Sequence, residues 1–124
     1  MCIRDRIKNG EEIPIYGDGE SFRDYTFVLD TVDGIVRAMN FQDNRYNVFN
    51  LGRGKIVILN DLIQIIKEEV DEEVKEHYME FQLGDMPATF ANIEKARNAF
   101  GYSPKISIRE GIREFIKWYK TKES

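Results

Sequence analysis

Apolar residues recur at helical spacing in four parts of the chain. The clearest is residues 59–70, where apolar side chains at every third or fourth position would line one face of a helix. The same spacing predicts helices over residues 30–39, 93–100 and 107–120. The chain is therefore predicted to be helical over a substantial part of its length.

Residues with preferences for helix ends flank three of these segments. Asp30 or Thr31 could cap the first helix in chain order, because a short polar side chain can accept a backbone N–H there. Gly101 would close the third helix, since glycine adopts the left-handed conformation that ends helices. Ser107 and Glu110 fit a capping box at the start of the fourth.

Short strands are predicted between the helices. They cover residues 12–16, 24–27, 46–51, 56–57 and 75–81. Pro14 has no amide hydrogen for a sheet, so the first strand is expected at an edge. The acidic stretch 68–76 is predicted to be a solvated turn. Helices and strands mix, which predicts an α/β or α+β fold, of which we take the mixed α/β class; the sheet would be small and incomplete unless another domain completes it.

The first ten residues suggest that the chain starts inside a longer protein. Residues 7–10 have the character of a last helical turn, with a basic residue followed by Asn-Gly, yet residues 1–6 show no periodicity. An ordinary frayed terminus is the alternative. Residues 1–6 are therefore left unassigned, and residues 7–124 are treated as one unit.

Composition narrows the function classes. The 124 residues fit one domain, and 42% of them are hydrophobic, so a core is possible. The net charge is −4 and the positive residues are dispersed, which argues against nucleic-acid binding. Cys2 is the only cysteine, so no internal disulfide can form. With no apolar run long enough to span a membrane, we expect a cytoplasmic protein without membrane association.

Several kinds of site lack their residues. The sequence has no glycine-rich dinucleotide fingerprint, and its single histidine and single cysteine are too far apart for a metal site. His77 falls in a predicted strand, which favours a structural or exposed position. No nucleophile triad is supported.

The loop that ends in Arg23-Asp24 has two interpretations. It contains Gly17 and Gly19 and follows a predicted strand. From the residues alone, the commoner outcome is a turn whose arginine pairs with a nearby carboxylate. The functional alternative is a phosphate site, because the planar guanidinium presents paired donors to a diphosphate.

Four segments together carry a family resemblance. These are Tyr16-Gly17-Asp18-Gly19 through Arg23-Asp24 to Asp30, the Tyr46-Asn47 to Gly54 segment, Gln82-Leu83-Gly84-Asp85 through Asn92, and Gly101-Tyr102-Ser103-Pro104. In order and spacing they resemble the C-terminal substrate-binding part of extended short-chain dehydrogenases that act on nucleotide sugars. The resemblance is strongest to the NAD-dependent UDP-sugar 4-epimerases, including the UDP-glucuronate type. It implies a small substrate-binding lobe that lacks most of the Rossmann NAD-binding lobe.

The resemblance implies four substrate-binding residues. Arg23 would contact the diphosphate, and Gln82 would be a polar contact on the phosphate side. Asp85 would accept hydrogen bonds from the ribose hydroxyls. Tyr16 lies where the family's strand passes the uracil, although core packing is an alternative. Asn92 stands where the family usually has Asp and is interpreted as a structural helix cap.

The implied function is that of part of an epimerase that transiently oxidises the sugar at C4. NAD and the Tyr-x-x-x-Lys pair that serves as the family's base would lie in the missing lobe, so the isolated chain is expected to be inactive. The parent enzyme would be a homodimer. An exposed apolar face should make the chain alone unstable or associating.

Two alternatives stay open. The same lobe occurs in nucleotide-sugar dehydratases and decarboxylases, and the residues that separate these enzymes lie mainly in the missing lobe. The chain could also be a stand-alone binding module without catalytic chemistry.

Overall fold

The computed structural model describes residues 3–43, 45–70 and 72–122, without the side chains of Ile3, Arg4 and Lys8. Cys2 lies outside the described residues. Within these described ranges, five helices and four strands follow one another in a mixed order, which confirms the α/β class. They are α1 (Ile3–Lys8), β1 (Ile13–Tyr16), β2 (Phe22–Arg23), α2 (Val28–Asn40), β3 (Val57–Ile58), α3 (Leu59–Val70), β4 (Glu76–Met79), α4 (Glu94–Phe100) and α5 (Ile108–Lys122).

The strands form two small sheets. β1 and β4 pair in parallel, in a register that places Ile13 opposite Glu76 and Tyr16 opposite Met79. β2 and β3 pair antiparallel, and Phe22 also bridges to Ala88. Within the described residues β1 has one neighbouring strand, so the prediction of an edge strand at Pro14 is confirmed.

The first hydrophobic cluster joins β1 to α1 and α3. Ile13, Ile15 and Ile63 are between 1% and 3% exposed, and Ile7 of α1 closes the cluster. Because the apolar positions of α3 face this cluster, the helix covers the sheet from residue 59 to residue 70, as predicted. Burial of aliphatic side chains is the dominant stabilising term in such a cluster.

The second cluster holds the loop-rich half of the molecule together. Tyr102 and Ala96 are fully buried, and Ile93 is nearly so. The rings of Phe41, Phe49 and Phe100 meet beside it, with centroids 4.9–5.9 Å apart. Such edge-to-face aromatic contacts are favourable and fix how loop residues pack on α4.

Helix α2 packs with an unexpected face. Its inner side contains Gly34, where an added Cβ would lie 2.8 Å from Leu51 and 2.9 Å from Tyr102. Its apolar residues point outward and are between 45% and 78% exposed, namely Val28, Leu29, Val32, Ile35, Val36 and Met39. The predicted apolar stripe is therefore present, and it is exposed.

Two strand predictions are wrong. Residues 24–27 leave the sheet after Arg23, because the Asp24 side chain hydrogen-bonds to backbone from other parts of the chain. Residues 46–51 have no strand partner among the described residues, although Lys95 donates to the Val48 carbonyl at 2.9 Å. An alternating pattern fits a strand, but a strand also needs a neighbouring ladder.

Two predictions about polar residues are also wrong. Helix α2 begins at Val28, so Asp30 and Thr31 lie inside the helix and do not cap it. Glu68 and Glu69 belong to α3 and not to a turn; both pair with Arg109 of α5, and Glu69 also pairs with Arg113. These carboxylates are held by partners that are distant along the chain.

Local end signals were more reliable. Gly101 ends α4 with φ of 70°, and the Glu110 backbone N–H donates to the Ser107 hydroxyl at 3.1 Å as a capping box requires. The backbone N–H of Glu94, the first residue of α4, donates to the Asn92 side chain at 3.0 Å, although the N-cap position is Ile93 and Asn92 lies one residue before it. In the described ranges, no helix is both long and apolar enough to cross a membrane, and no cluster of metal ligands occurs.

Candidate functional site

Strand β2 positions the arginine at the centre of the site. The Phe22 backbone N–H donates to the Pro87 carbonyl at 3.1 Å, and the Thr89 N–H donates to the Phe22 carbonyl at 3.2 Å. On the other side, β2 pairs with β3. Arg23 therefore follows a residue that is hydrogen-bonded to a neighbouring segment, and its backbone has a defined position.

The Arg23 guanidinium makes two recorded hydrogen bonds. Its Nη1 donates to the Phe22 carbonyl at 2.9 Å, and its Nη2 donates to the Asp85 Oδ1 at 3.0 Å. The Arg23 side chain is 29% exposed and that of Asp85 38%, so a molecule in solution can reach the pair. A guanidinium carries five N–H donors, so two hydrogen bonds leave it the capacity to bind a further acceptor.

Asp85 is held by a tight turn. Its backbone N–H donates to the Gln82 carbonyl at 3.2 Å, and Gly84 adopts φ of 88°, which glycine allows at no steric cost. The turn follows β4, and Phe81, two residues after that strand, packs so close to Gly17 that a Cβ added to Gly17 would lie 2.4 Å from the ring. The ends of β1 and β4 thus bring the turn up to Arg23.

The four predicted substrate residues fall into two pairs. Arg23 and Asp85 form a hydrogen bond. Tyr16 is the last residue of β1, and Gln82 follows the end of the parallel strand β4 by three residues. Gln82 bonds to Asp85 through its backbone carbonyl, and among the described residues no side-chain hydrogen bond connects Tyr16 or Gln82 to the Arg23–Asp85 pair. The binding roles of all four stay predictions.

Asp24 organises the loops around Arg23. Its carboxylate accepts the backbone N–H groups of Arg53 at 3.0 Å, Gly54 at 2.9 Å and Ala91 at 3.4 Å. Gly52 leaves no room for a side chain, because a Cβ would lie 2.7 Å from the Asp24 Oδ2. One carboxylate therefore ties two loops to the strand that carries Arg23.

Two buried groups extend this framework. The Tyr102 hydroxyl donates to the Gly52 carbonyl at 2.6 Å, and burial raises the pKa of that hydroxyl. The Asp30 carboxylate accepts the backbone N–H groups of Lys105 and Ile106, each at 3.0 Å. The sequence analysis did not identify these structural roles of Asp24, Asp30 and Tyr102. Their bonding partners are 29 to 76 residues away, so no local pattern signals them.

An open groove lies beside the arginine. It has a volume of about 360 Å³ and is lined by Arg23, Asp24, Asn50, Thr89, Phe90 and Ala91. Nearby, burial raises the pKa of the Tyr25 hydroxyl, and the charge of Arg23 partly offsets that rise. The groove offers a cation, polar groups and an aromatic ring, which suits an anionic ligand with a planar or sugar component.

His77 does not line this groove. His77 lies on β4 and is mostly exposed, with its Nδ1 3.9 Å from the Glu12 Oε2. This agrees with the predicted structural or exposed position.

Comparison with known proteins gives the family. The family model described as GDP-mannose 4,6 dehydratase matches residues 2–115. UDP-glucuronate 4-epimerase of Thermodesulfobacterium geofontis is 34% identical over 115 residues, which are 92% of this chain and 35% of that protein. The chain therefore spans about a third of the length of this relative.

Solved structures match in the same way. UDP-glucose 4-epimerase of Thermotoga maritima, solved with UDP-glucose, superposes with a TM-score of 0.90 at 32% identity, over 98% of this chain and 39% of that one. MoeE5, solved with UDP-glucuronic acid and NAD, gives a TM-score of 0.89 at 29% identity, over 98% and 42% respectively. The chain therefore belongs to the GDP-mannose 4,6 dehydratase family and corresponds to the C-terminal part of the NAD-dependent epimerases and dehydratases.

Proposed function

We propose that residues 7–124 form the nucleotide-sugar-binding lobe of an NAD-dependent UDP-sugar 4-epimerase and that this lobe holds the nucleotide diphosphate. The observation that carries the proposal is Arg23, whose partly exposed guanidinium extends from β2 and lines an open groove. Guanidinium forms charge-assisted, often bidentate hydrogen bonds with phosphate oxygens.

The other predicted residues complete the ligand site. Asp85 would accept from the ribose hydroxyls and Gln82 would contact the phosphate side, since both lie on the segment that follows β4. Tyr16, at the end of β1, would border the uracil. Similarity to proteins solved with UDP-glucose and UDP-glucuronic acid supports a UDP-sugar as the ligand class.

The reaction would need the remainder of a longer protein. NAD, held by the family's N-terminal lobe, would supply the transient oxidation at C4 of the sugar. In that arrangement this lobe anchors the nucleotide diphosphate, so that the sugar can turn while the anchor stays in place. The relative solved with NAD is more than twice as long as this chain, which supports such a division, and the parent enzyme would be a homodimer. The isolated chain would be inactive.

The exposed stripe of α2 supports the same proposal. Six apolar residues on one helix, between 45% and 78% exposed, form a surface that soluble monomers rarely leave uncovered. In the parent enzyme this surface would contact the remaining two thirds of the protein.

A dehydratase is the second candidate, because the matching family model is described as GDP-mannose 4,6 dehydratase. The two enzymes would use this lobe alike, and the difference would lie in proton-transfer residues outside it. A full-length sequence with its catalytic lobe separates them.

The diphosphate role of Arg23 is tested by calorimetric titration of the chain with UDP. We expect Arg23→Ala to weaken binding by about 1.5–3 kcal/mol, the range for a lost hydrogen bond to a charged group. Arg37→Ala is the matched control, because Arg37 pairs with Asp33 on the surface of α2 and lies outside the groove lining. Equal UDP affinity in wild type and Arg23→Ala would overturn the assignment.

A further inference from the structure

The anion that Arg23 binds in this structure belongs to the chain itself. The Arg23 Nη2 and the Asp85 Oδ1 are 3.0 Å apart, and the two residues are 62 positions apart in sequence. We propose that Asp85 is an internal competitor for Arg23, which makes the site select nucleoside diphosphates over inorganic diphosphate. This inference rests on the proposed function.

The backbone around the pair makes the contact a built feature. Arg23 follows Phe22, whose N–H and carbonyl both bond to the segment 87–89, and Asp85 lies two residues before that segment. The turn hydrogen bond from the Asp85 N–H to the Gln82 carbonyl holds the backbone from which the carboxylate extends to Arg23. The segment that pairs with β2 thus also delivers the carboxylate that meets Arg23.

Competition follows from the chemistry of the guanidinium. A diphosphate that approaches Arg23 must either displace Asp85 or place its own negative charge beside that carboxylate. Inorganic diphosphate has no vicinal diol, and near neutral pH at most one of its oxygens is protonated, so displacement leaves the carboxylate with at most one new donor. A nucleoside diphosphate carries a vicinal diol, whose two hydroxyls can donate to the released carboxylate.

Selectivity is then a difference between two affinities. The Arg23–Asp85 pair is partly exposed, and such pairs are modest in strength, so its loss should change diphosphate affinity by no more than about fivefold. Loss of the hydrogen bonds from the diol to a charged acceptor should weaken a nucleoside diphosphate by about tenfold or more. Asp85 therefore lowers the affinity of the site for inorganic diphosphate and raises its affinity for a nucleoside diphosphate.

The test compares Asp85→Asn with wild type in titrations of the 124-residue chain with inorganic diphosphate, UDP and 2′-deoxyUDP. We expect Asp85→Asn to bind inorganic diphosphate up to about fivefold tighter and UDP about tenfold weaker. The variant should no longer distinguish UDP from 2′-deoxyUDP as well as wild type does. Asp33→Asn is the control, because it removes the same charge from an exposed pair on α2 and should change none of the affinities.

The titrations separate a failure of the competition from a failure of the proposed function. If Asp85→Asn leaves diphosphate affinity unchanged while Arg23→Ala abolishes it, the competition is wrong and the diphosphate role of Arg23 stands. If Arg23→Ala leaves UDP affinity unchanged, the proposed function fails and the inference fails with it. Circular dichroism establishes that the variants fold. If Asp85→Asn does not fold, Asp85→Ser, which also removes the charge, replaces it in the same titrations.

Discussion

Helices α2 and α3 have the same amphipathic pattern and opposite surroundings. They contain 13 and 12 residues, and each has apolar side chains at helical spacing. On α3, Ile63 is 3% exposed and packs against β1. On α2, Ile35 is 48% exposed and Met39 78%. A periodic pattern therefore identifies a helix and its apolar face, but not what covers that face.

The two helices are also attached by different means. α3 is held by its apolar side, whereas α2 is held by its opposite side, through Gly34 against Leu51 and through the Asp30 carboxylate. This arrangement leaves the apolar stripe of α2 exposed, which is the surface that the proposed second lobe would contact.

The largest difference should come from truncating one apolar residue on each helix. Ile63→Ala should lower the free energy of unfolding by about 2–5 kcal/mol, because it leaves a cavity in the first cluster. Ile35→Ala should change it by no more than about 0.5 kcal/mol, because that side chain is already half exposed. Urea denaturation at low protein concentration measures both. A concentration-dependent loss of stability in Ile35→Ala would instead mean that copies of the chain cover the α2 stripe.

The next largest effect should come from the polar attachment of α2. Asp30 is 7% exposed and accepts two backbone N–H groups, so Asp30→Ala leaves both donors unpaired and should cost about 2–3 kcal/mol. Asp33→Ala is the control one turn along the same helix, and its exposed pair with Arg37 should cost under about 0.5 kcal/mol. Thermal unfolding compares them. Equal losses in the two variants would contradict the idea that α2 is anchored by Asp30.

The same contrast explains which parts of the fold were predictable. The span of α3, the Gly101 ending and the Ser107–Glu110 box depend on neighbouring residues, so the sequence carries their signals. The failed strand at residues 46–51 depends on a partner strand, which no local pattern supplies. The prediction that Asp30 caps α2 fails for the same reason, because the backbone N–H groups that donate to its carboxylate follow some 75 residues later.

The candidate site also combines residues that the sequence predicts with contacts that depend on the tertiary fold. The family resemblance singled out Arg23 and Asp85 separately, and the structure adds that they meet. It also adds Asp24, which looks like an ordinary turn residue until its carboxylate is seen to bond to Arg53, Gly54 and Ala91. Contacts of this range arise from the tertiary fold, so they cannot be derived from spacing alone.

The smallest expected effect concerns the ion pair that connects α3 to β4. Lys67 of α3 bonds to Glu76 of β4, and that hydrogen bond holds the pKa of the Glu76 carboxyl below its ordinary value of 4.5. A lowered carboxyl pKa stabilises the fold above the unfolded-state value, and the contribution disappears as the pH falls through the folded-state pKa. Glu76→Gln should therefore cost under about 1 kcal/mol near pH 7, with the difference from wild type shrinking below about pH 4.5. Urea denaturation between pH 3 and pH 7 measures this, with Glu80→Gln as the exposed control just after β4. A difference that stays constant across this range would mean that Glu76 acts through packing and not through its charge.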